Sequence, residues 1–134
     1  MSALNSDRNT PYREGDVLVL GVAAGAKIFA GSLVCANATG FAVPGSVSTT
    51  QTYLGRADVA VNNVDGVDGA RGVKILRKKA FHWANHPADL VTQADLGKTC
   101  YVVDDQTVAK TNGANTRSAA GRVLEVTSSG VWVE

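Results

Sequence analysis

From Val17 onward the chain runs as short apolar or alternating stretches, each closed off by Gly, Asn, Asp or Pro. With 13 of the 14 glycines so distributed, little room is left for the i, i+3, i+4 repeat of a packed helix. A strand, by contrast, needs only four to eight residues between turns. The pattern predicts a mainly β protein: a compact β-sandwich or barrel-like domain of short strands, with at most one or two short helical turns. Expected strands cover 17–22, 27–29, 32–37, 41–43, 53–61, 72–83, 99–104, 107–110, 122–126 and 131–133. Turn chemistry at Asn37-Ala38-Thr39-Gly40, Asp104-Asp105-Gln106 and Ser128-Ser129-Gly130 predicts three hairpins. The single helical expectation is 88–95, which follows Pro87 and stops at Gly97.

The domain boundary is read at residue 15. Residues 1–15 are polar and hold Pro11 next to Tyr12, too little apolar area to offset the entropy of ordering them, so a flexible arm is expected. Residues 16–134 form the β-rich domain, a length sufficient for a core without disulfide or metal staples. An internal likeness crosses that domain: Gly31-Ser32-Leu33-Val34-Cys35 matches Gly97-Lys98-Thr99-Cys100-Tyr101, and Gly55-Arg56 matches Gly121-Arg122, both 66 positions on. Phe41-Ala42-Val43 aligns with Val108-Ala109-Lys110, slipped by one position. Either the halves 17–61 and 84–134 descend from a duplication, or two glycine-turned β-hairpins merely look alike.

A formal charge of +1 gives no field that would gather nucleic acid or an anionic membrane, so a partner must be recognised by shape and local chemistry. The amino terminus lacks the basic-then-apolar order of a signal peptide, and no apolar run approaches the roughly 18 residues of a membrane span. Cys35 and Cys100 each sit in an apolar run and read as core thiols of a reducing compartment. The chain is therefore expected to be made and kept in the cytoplasm.

Candidate chemistry thins out on inspection. Asp104-Asp105 reads as a hairpin tip, not a catalytic carboxylate pair. Asn62-Asn63-Val64-Asp65-Gly66-Val67-Asp68-Gly69 lacks the closing glutamate of a calcium loop and reads as two Asp-Gly turns. His82 and His86 have helical ligand spacing but strand-like surroundings, with Pro87 directly after. Gly21 to Lys27 misses the spacing of a phosphate loop, and Gly25 reads as a turn. No catalytic, cofactor or metal residue is assigned, and the chain is read as a non-enzyme.

The one local charge concentration is Arg71, Lys74, Arg77, Lys78 and Lys79, leading into Phe81-His82-Trp83. Basic side chains beside aromatics suit single-stranded nucleic acid. A long strand with Val73 and Ile75 inward and its basic residues outward, the Arg77-Lys78-Lys79 run breaking alternation at a bulge or sheet edge, is the preferred reading, and such a basic edge could equally dock on an acidic protein.

The residues 89–98, then Cys100-Tyr101-Val102-Val103-Asp104-Asp105-Gln106-Thr107-Val108-Ala109, Ala120-Gly121-Arg122-Val123-Leu124 and Gly130-Val131-Trp132-Val133 resemble small virion proteins of Mu-like and related siphophages, read as capsid cement or decoration proteins. Ala30 to Val34, Thr39-Gly40-Phe41 and Leu54-Gly55-Arg56-Ala57 look like the first half of the same family. Together they cover most of 17–134 and leave the arm unmatched. The resemblance implies a virion protein on the capsid surface, bound to the major capsid protein, often trimeric, that locks the expanded shell. It needs no cofactor and no membrane. The partner-binding candidates are then Tyr12 and Arg13 in the arm, Arg71, Lys74, Arg77, Lys78 and Lys79 in the basic segment, and Trp83. The alternative is a virion-associated adhesin or carbohydrate-binding module using Trp83 or Trp132, although Trp132 itself reads as a core residue of the last strand. Nucleic-acid binding through 71–83 ranks third.

Overall fold

A computed structural model describes residues 2–134. The protein is mainly β: β1 (Val17–Gly21), β2 (Lys27–Ile28), β3 (Leu33–Ala36), β4 (Ala42–Pro44), β5 (Thr52–Ala57), β6 (Val61–Asn62), β7 (Gly72–Leu76), β8 (Phe81–Asn85), β9 (Thr99–Val102), β10 (Thr107–Ala109), β11 (Ala119–Thr127) and β12 (Gly130–Val133). A five-stranded sheet in the order β1-β7-β5-β3-β4 is followed by a closed five-stranded barrel, β10-β8-β12-β11-β9, and β2 pairs with β6 in a small ribbon.

Alternation builds the core. On β3, Leu33 and Cys35 point into one cluster with Trp83, Val91, Cys100, Val102, Val108, Val123, Val131 and Val133. Between them Val34 points the other way, into a second cluster with Val22, Ile28, Ala42, Ala57, Val73 and Ile75. Leu33, Val34 and Cys35 are all fully buried, so β3 is the wall shared by both cores. Burying each such aliphatic side chain contributes about 1.5–3 kcal/mol before entropy is counted.

The two halves repeat one topology. Strands β1, β3, β4, β5 and β7 are neighbours in the same arrangement as β8, β9, β10, β11 and β12. Register repeats as well: Leu33 lies opposite Arg56 as Thr99 lies opposite Arg122. Gly31 donates to Ala57 O as Gly97 donates to Val123 O, both at 2.8 Å. The hairpins match without a slip, since Asn37 donates to Phe41 O and Val103 donates to Thr107 O. Closure repeats too. His86 donates to Val108 O where β10 and β8 run parallel, and Ala23 donates to Ala42 O at the lone parallel bridge between Val22 and Ala42. The first unit thus extends through β7 to Leu76, beyond the expected end at 61, and the second begins at Phe81. Its loop from Asp58 to Arg71 replaces the tight Ser128-Ser129 turn of the second unit.

The repeat explains both Gly-Arg pairs. A Cβ on Gly55 would collide with Leu76 O, and one on Gly121 would collide with Glu134 O; each glycine lets the neighbouring backbone close in.

Several sequence expectations are corrected. The expected strand 72–83 is two strands joined by a turn at 77–80, where Lys78 takes φ 57. The expected strand 53–61 stops at Ala57 before β6. The expected helix 88–95 shrinks to one 3-10 turn, Gln93–Asp95. The Asn85 amide captures Val91 there, donating to Val91 O and accepting from Val91 N–H, both at 2.9 Å. That strand-like pairing outcompetes helical bonds through 88–91.

Gly121→Ala is expected to destabilise by about 3 kcal/mol or more in urea unfolding, because a backbone carbonyl cannot yield to the new methyl. Gly25→Ala, with φ 74 but open space around it, should cost only about 1–2 kcal/mol.

Candidate partner-binding surface

The arm precedes β1. Residues 2–14 have no regular secondary structure and every one is exposed. Among its described residues, the large apolar side chains of Leu4 and Tyr12 face solvent at 72% and 99% exposure, and Arg13 is exposed beside Tyr12. Among the described residues, the arm is fastened only at its root: Arg77 donates from Nη1 to Gly15 O at 3.0 Å and from its backbone N–H to Asp16 O at 2.8 Å.

The basic candidates do not form one strand face. Arg71 is exposed ahead of β7, while Lys74 on β7 pairs with Asp58 at 3.5 Å. Arg77 is half-buried and committed to the arm root. Lys78 and Lys79 are exposed in the turn between the two units, with the Lys78 side chain lying against Gly15. The structure therefore gathers Arg77, Lys78 and Lys79 with the arm root and leaves Arg71 and Lys74 on the outer part of β7.

Trp83 is corrected outright as a partner-binding residue. Only 4% of it is exposed, and its Nε1 donates to the Tyr53 hydroxyl at 3.1 Å. Trp132 is corrected in the opposite sense. On β12 Val131 and Val133 are buried while Trp132 between them is 36% exposed, standing edge-on to His82 with ring centroids 5.1 Å apart. Both outcomes follow from period two. Trp83 alternates with the exposed His82 and Ala84, whereas Trp132 alternates with buried valines. Counting from the buried valines would have exposed Trp132; its hydrophobicity hid that signal.

The loop at Asn62 to Gly69 is organised around Asn63, 1% exposed, whose Nδ2 donates to Val22 O, Ala23 O and Val67 O at 3.0–3.1 Å. Asp68 accepts from Ala24 N–H at 2.8 Å. The loop's polar side chains thus serve as backbone clamps over the end of the first core. An open hollow of about 790 Å³ lies beside it, lined by Val61, Asn63, Asp65, Gly66 and Arg71 among others. Among the described residues, no group of three or more His, Cys, Asp or Glu is placed to hold a metal ion. No helix among them is long and apolar enough to cross a membrane.

Titratable groups inside the body serve packing and loop anchoring. Burial pushes the Cys35 and Cys100 thiols up to about 12, and burial likewise pushes the Tyr53 hydroxyl up to about 12. At the far end of the barrel, one Asp89 oxygen accepts from Thr111 Oγ1 at 2.6 Å, Thr111 N–H at 3.1 Å and Arg117 Nη1 at 2.8 Å. Those bonds, the Thr111 hydroxyl first, hold its pKa below the usual carboxylate value. They pin a loop in which Gly113, Ala114 and Asn115 all take positive φ. Asp95 is lowered similarly, chiefly by the Thr92 backbone N–H.

Comparison with protein-family models, curated proteins and solved structures gives no match for this chain.

Two outcomes follow from these groups. Neither thiol should react with a water-soluble disulfide reagent in the native protein, and both should react once it is unfolded, because at neutral pH almost no thiolate exists at either site. Asp89 has a folded pKa below its unfolded one, so its stabilisation is full above the ordinary carboxylate range and is lost as pH falls through the folded value. Asp89→Asn should therefore lower the Tm at neutral pH and flatten its fall between about pH 7 and pH 3. A residual slope is expected from Asp95.

Proposed function

We propose that this protein is a structural binding protein that decorates the outside of a tailed-phage capsid and stabilises the mature shell, with no reaction chemistry of its own. The observation that carries the reading is the fully exposed arm, residues 2–14, fastened at its root to a close-packed β body. Such a segment makes few contacts within its own chain and gains them only by ordering on a partner. Tyr12 is its anchor, an aromatic with a polar tip and nothing covering it. Arg13, Lys78 and Lys79 near the root supply positive charge that would meet an acidic patch on the major capsid protein.

Mechanism is then a matter of differential affinity. A decoration protein that binds the expanded lattice better than the precursor lattice stabilises the expanded form by linkage. Repetition on the lattice multiplies weak single contacts into firm attachment. The β body acts as a rigid plug whose partner surface is displayed outward, and the virion exterior is the place where it works. The family resemblance of the hairpins supports this reading independently of the arm.

A second reading keeps one specific observation: Trp132, exposed and flanked by His82 and by Ser129, whose hydroxyl lies 3.4 Å from His82 Nε2. An exposed indole with polar neighbours suits a sugar face, as in an adhesin or carbohydrate-binding module. Glycan-dependent quenching of indole fluorescence, abolished by Trp132→Ala, would favour it. The nucleic-acid reading loses its stacking platform because Trp83 is buried.

A chain beginning at Gly15 should keep its fold, by circular dichroism and melting, and fail to co-sediment with expanded heads that the full chain decorates. Full occupancy by the truncated chain would remove the arm from the mechanism.

A further inference from the structure

We infer that the outer edge of β1 is an isologous docking edge, and that its occupant is the same edge of a second copy of this chain. The hydrogen-bond register shows what is left open. Arg77 N–H donates to Asp16 O and Val22 N–H donates to Arg71 O, so in this antiparallel pair the even-numbered residues of β1 face β7. The N–H and C=O groups of Val17 and Val19 therefore face away from the sheet. β1 is the terminal strand of that sheet, and the small seam it makes with β4 begins only at Val22.

The two edges of this sheet are treated differently. β4 bonds β3 through Phe41, Val43 and Gly45, so Ala42 and Pro44 face outward. Ala42 O is taken by Ala23 N–H, and Pro44 has no N–H to offer. A proline and an occupied carbonyl are the devices by which sheets prevent edge-to-edge pairing. The β1 edge carries neither. Its sequence Val17-Leu18-Val19-Leu20-Gly21 has no charge and no proline, and its two valines favour the extended conformation. Val17 and Val19 show 37% and 68% of their surface on the outer side, while Leu18 and Leu20 turn inward. Comparison with the second unit sharpens the contrast, because there Ala84 N–H is satisfied by Gln106 O and the barrel closes.

A second copy fits this edge by its chemistry. Antiparallel pairing about a two-fold axis sets one uncharged Val-Leu-Val-Leu run against its twin, satisfies the outward N–H and C=O groups of both, and joins Val17 and Val19 of the two copies into one apolar strip. Whether Val17 pairs with its own twin, Val17 with Val19, or Val19 with its own twin, Asp16 lies opposite Leu18, Leu20 or Val22 of the second copy, so no like charges face each other there. Each arm, leaving the strand ahead of Val17, points away from the pairing axis and stays free. A ladder this short buries less than a standard stable interface, which makes the pair a weak one that forms at high local concentration, such as that on a lattice. The inference needs no capsid, and its two-fold pairing departs from the three-fold assembly that the resemblance implies.

The test is sedimentation of the full chain from about 10 μM to about 1 mM, with amide exchange followed residue by residue. The expected result is a rise toward about twice 13.9 kDa, with the Val17 and Val19 amides slowing in step. Val19→Lys, on an exposed side chain, should leave the circular dichroism unchanged, return the mass to that of one chain and restore fast exchange at Val17. Val47→Lys, at another exposed valine, should leave pairing intact. A chain that stays single throughout the range, an assembly of three, or any assembly that survives Val19→Lys with fast exchange at Val17 would overturn the inference.

Discussion

The double-sided burial of β3 is the constraint on which the rest of the molecule depends. Leu33 and Cys35 enter the core they share with the barrel, while Val34 enters the core of the first sheet. Because side chains alternate strictly along a strand, a one-residue slip would exchange these faces and empty both cores at once. The surroundings reinforce that register. Leu33 N–H donates to Asp105 O in the second unit, and Gly45 leaves no room for a side chain between Leu33, Val102 and the Asp104 carbonyl. Ser118 extends the join by donating to Ser48 O and accepting from Gln51 N–H.

Two similar units are thereby locked into one body, and the repetition has a physical use. Each unit uses the glycine of its Gly-Arg pair for the same task, admitting a neighbouring carbonyl against the strand. Differences between the units lie in the loops. The first carries the long Asn63-centred loop, while the second carries the left-handed turn held by Asp89. With the interior committed to packing, burial raises the thiols and the Tyr53 hydroxyl, and the exposed groups include those of the arm, Lys78 and Lys79, the β1 edge and Trp132.

Fold class was legible because period-two alternation and glycine punctuation are local signals. The three hairpins were legible for the same reason, and the side chain of Asn37 accepts from Thr39 and Phe41 N–H as such a turn requires. What escaped was decided by distant partners. Residues 88–91 looked helical until Asn85 claimed Val91, and the run 72–83 looked like one strand because the break at Lys78 uses a positive φ on a residue that gives no such signal. The candidate surface was legible in its arm and only partly elsewhere. Trp83 and Trp132 exchange roles because hydrophobicity alone cannot say which side of a strand is inside, whereas their neighbours' alternation can.

β3 holds the body together from both sides, and the arm, residues 2–14, stays outside that packing, as the proposed binding role requires. Hydrogen exchange of the isolated protein separates the two parts: amides of Leu33–Ala36 should fall in the slowest class, opening only with global unfolding, and amides across residues 2–14 should exchange as fast as in an unstructured peptide. Arm amides protected to the level of the strands would show that the arm packs on its own domain, and would contradict the account.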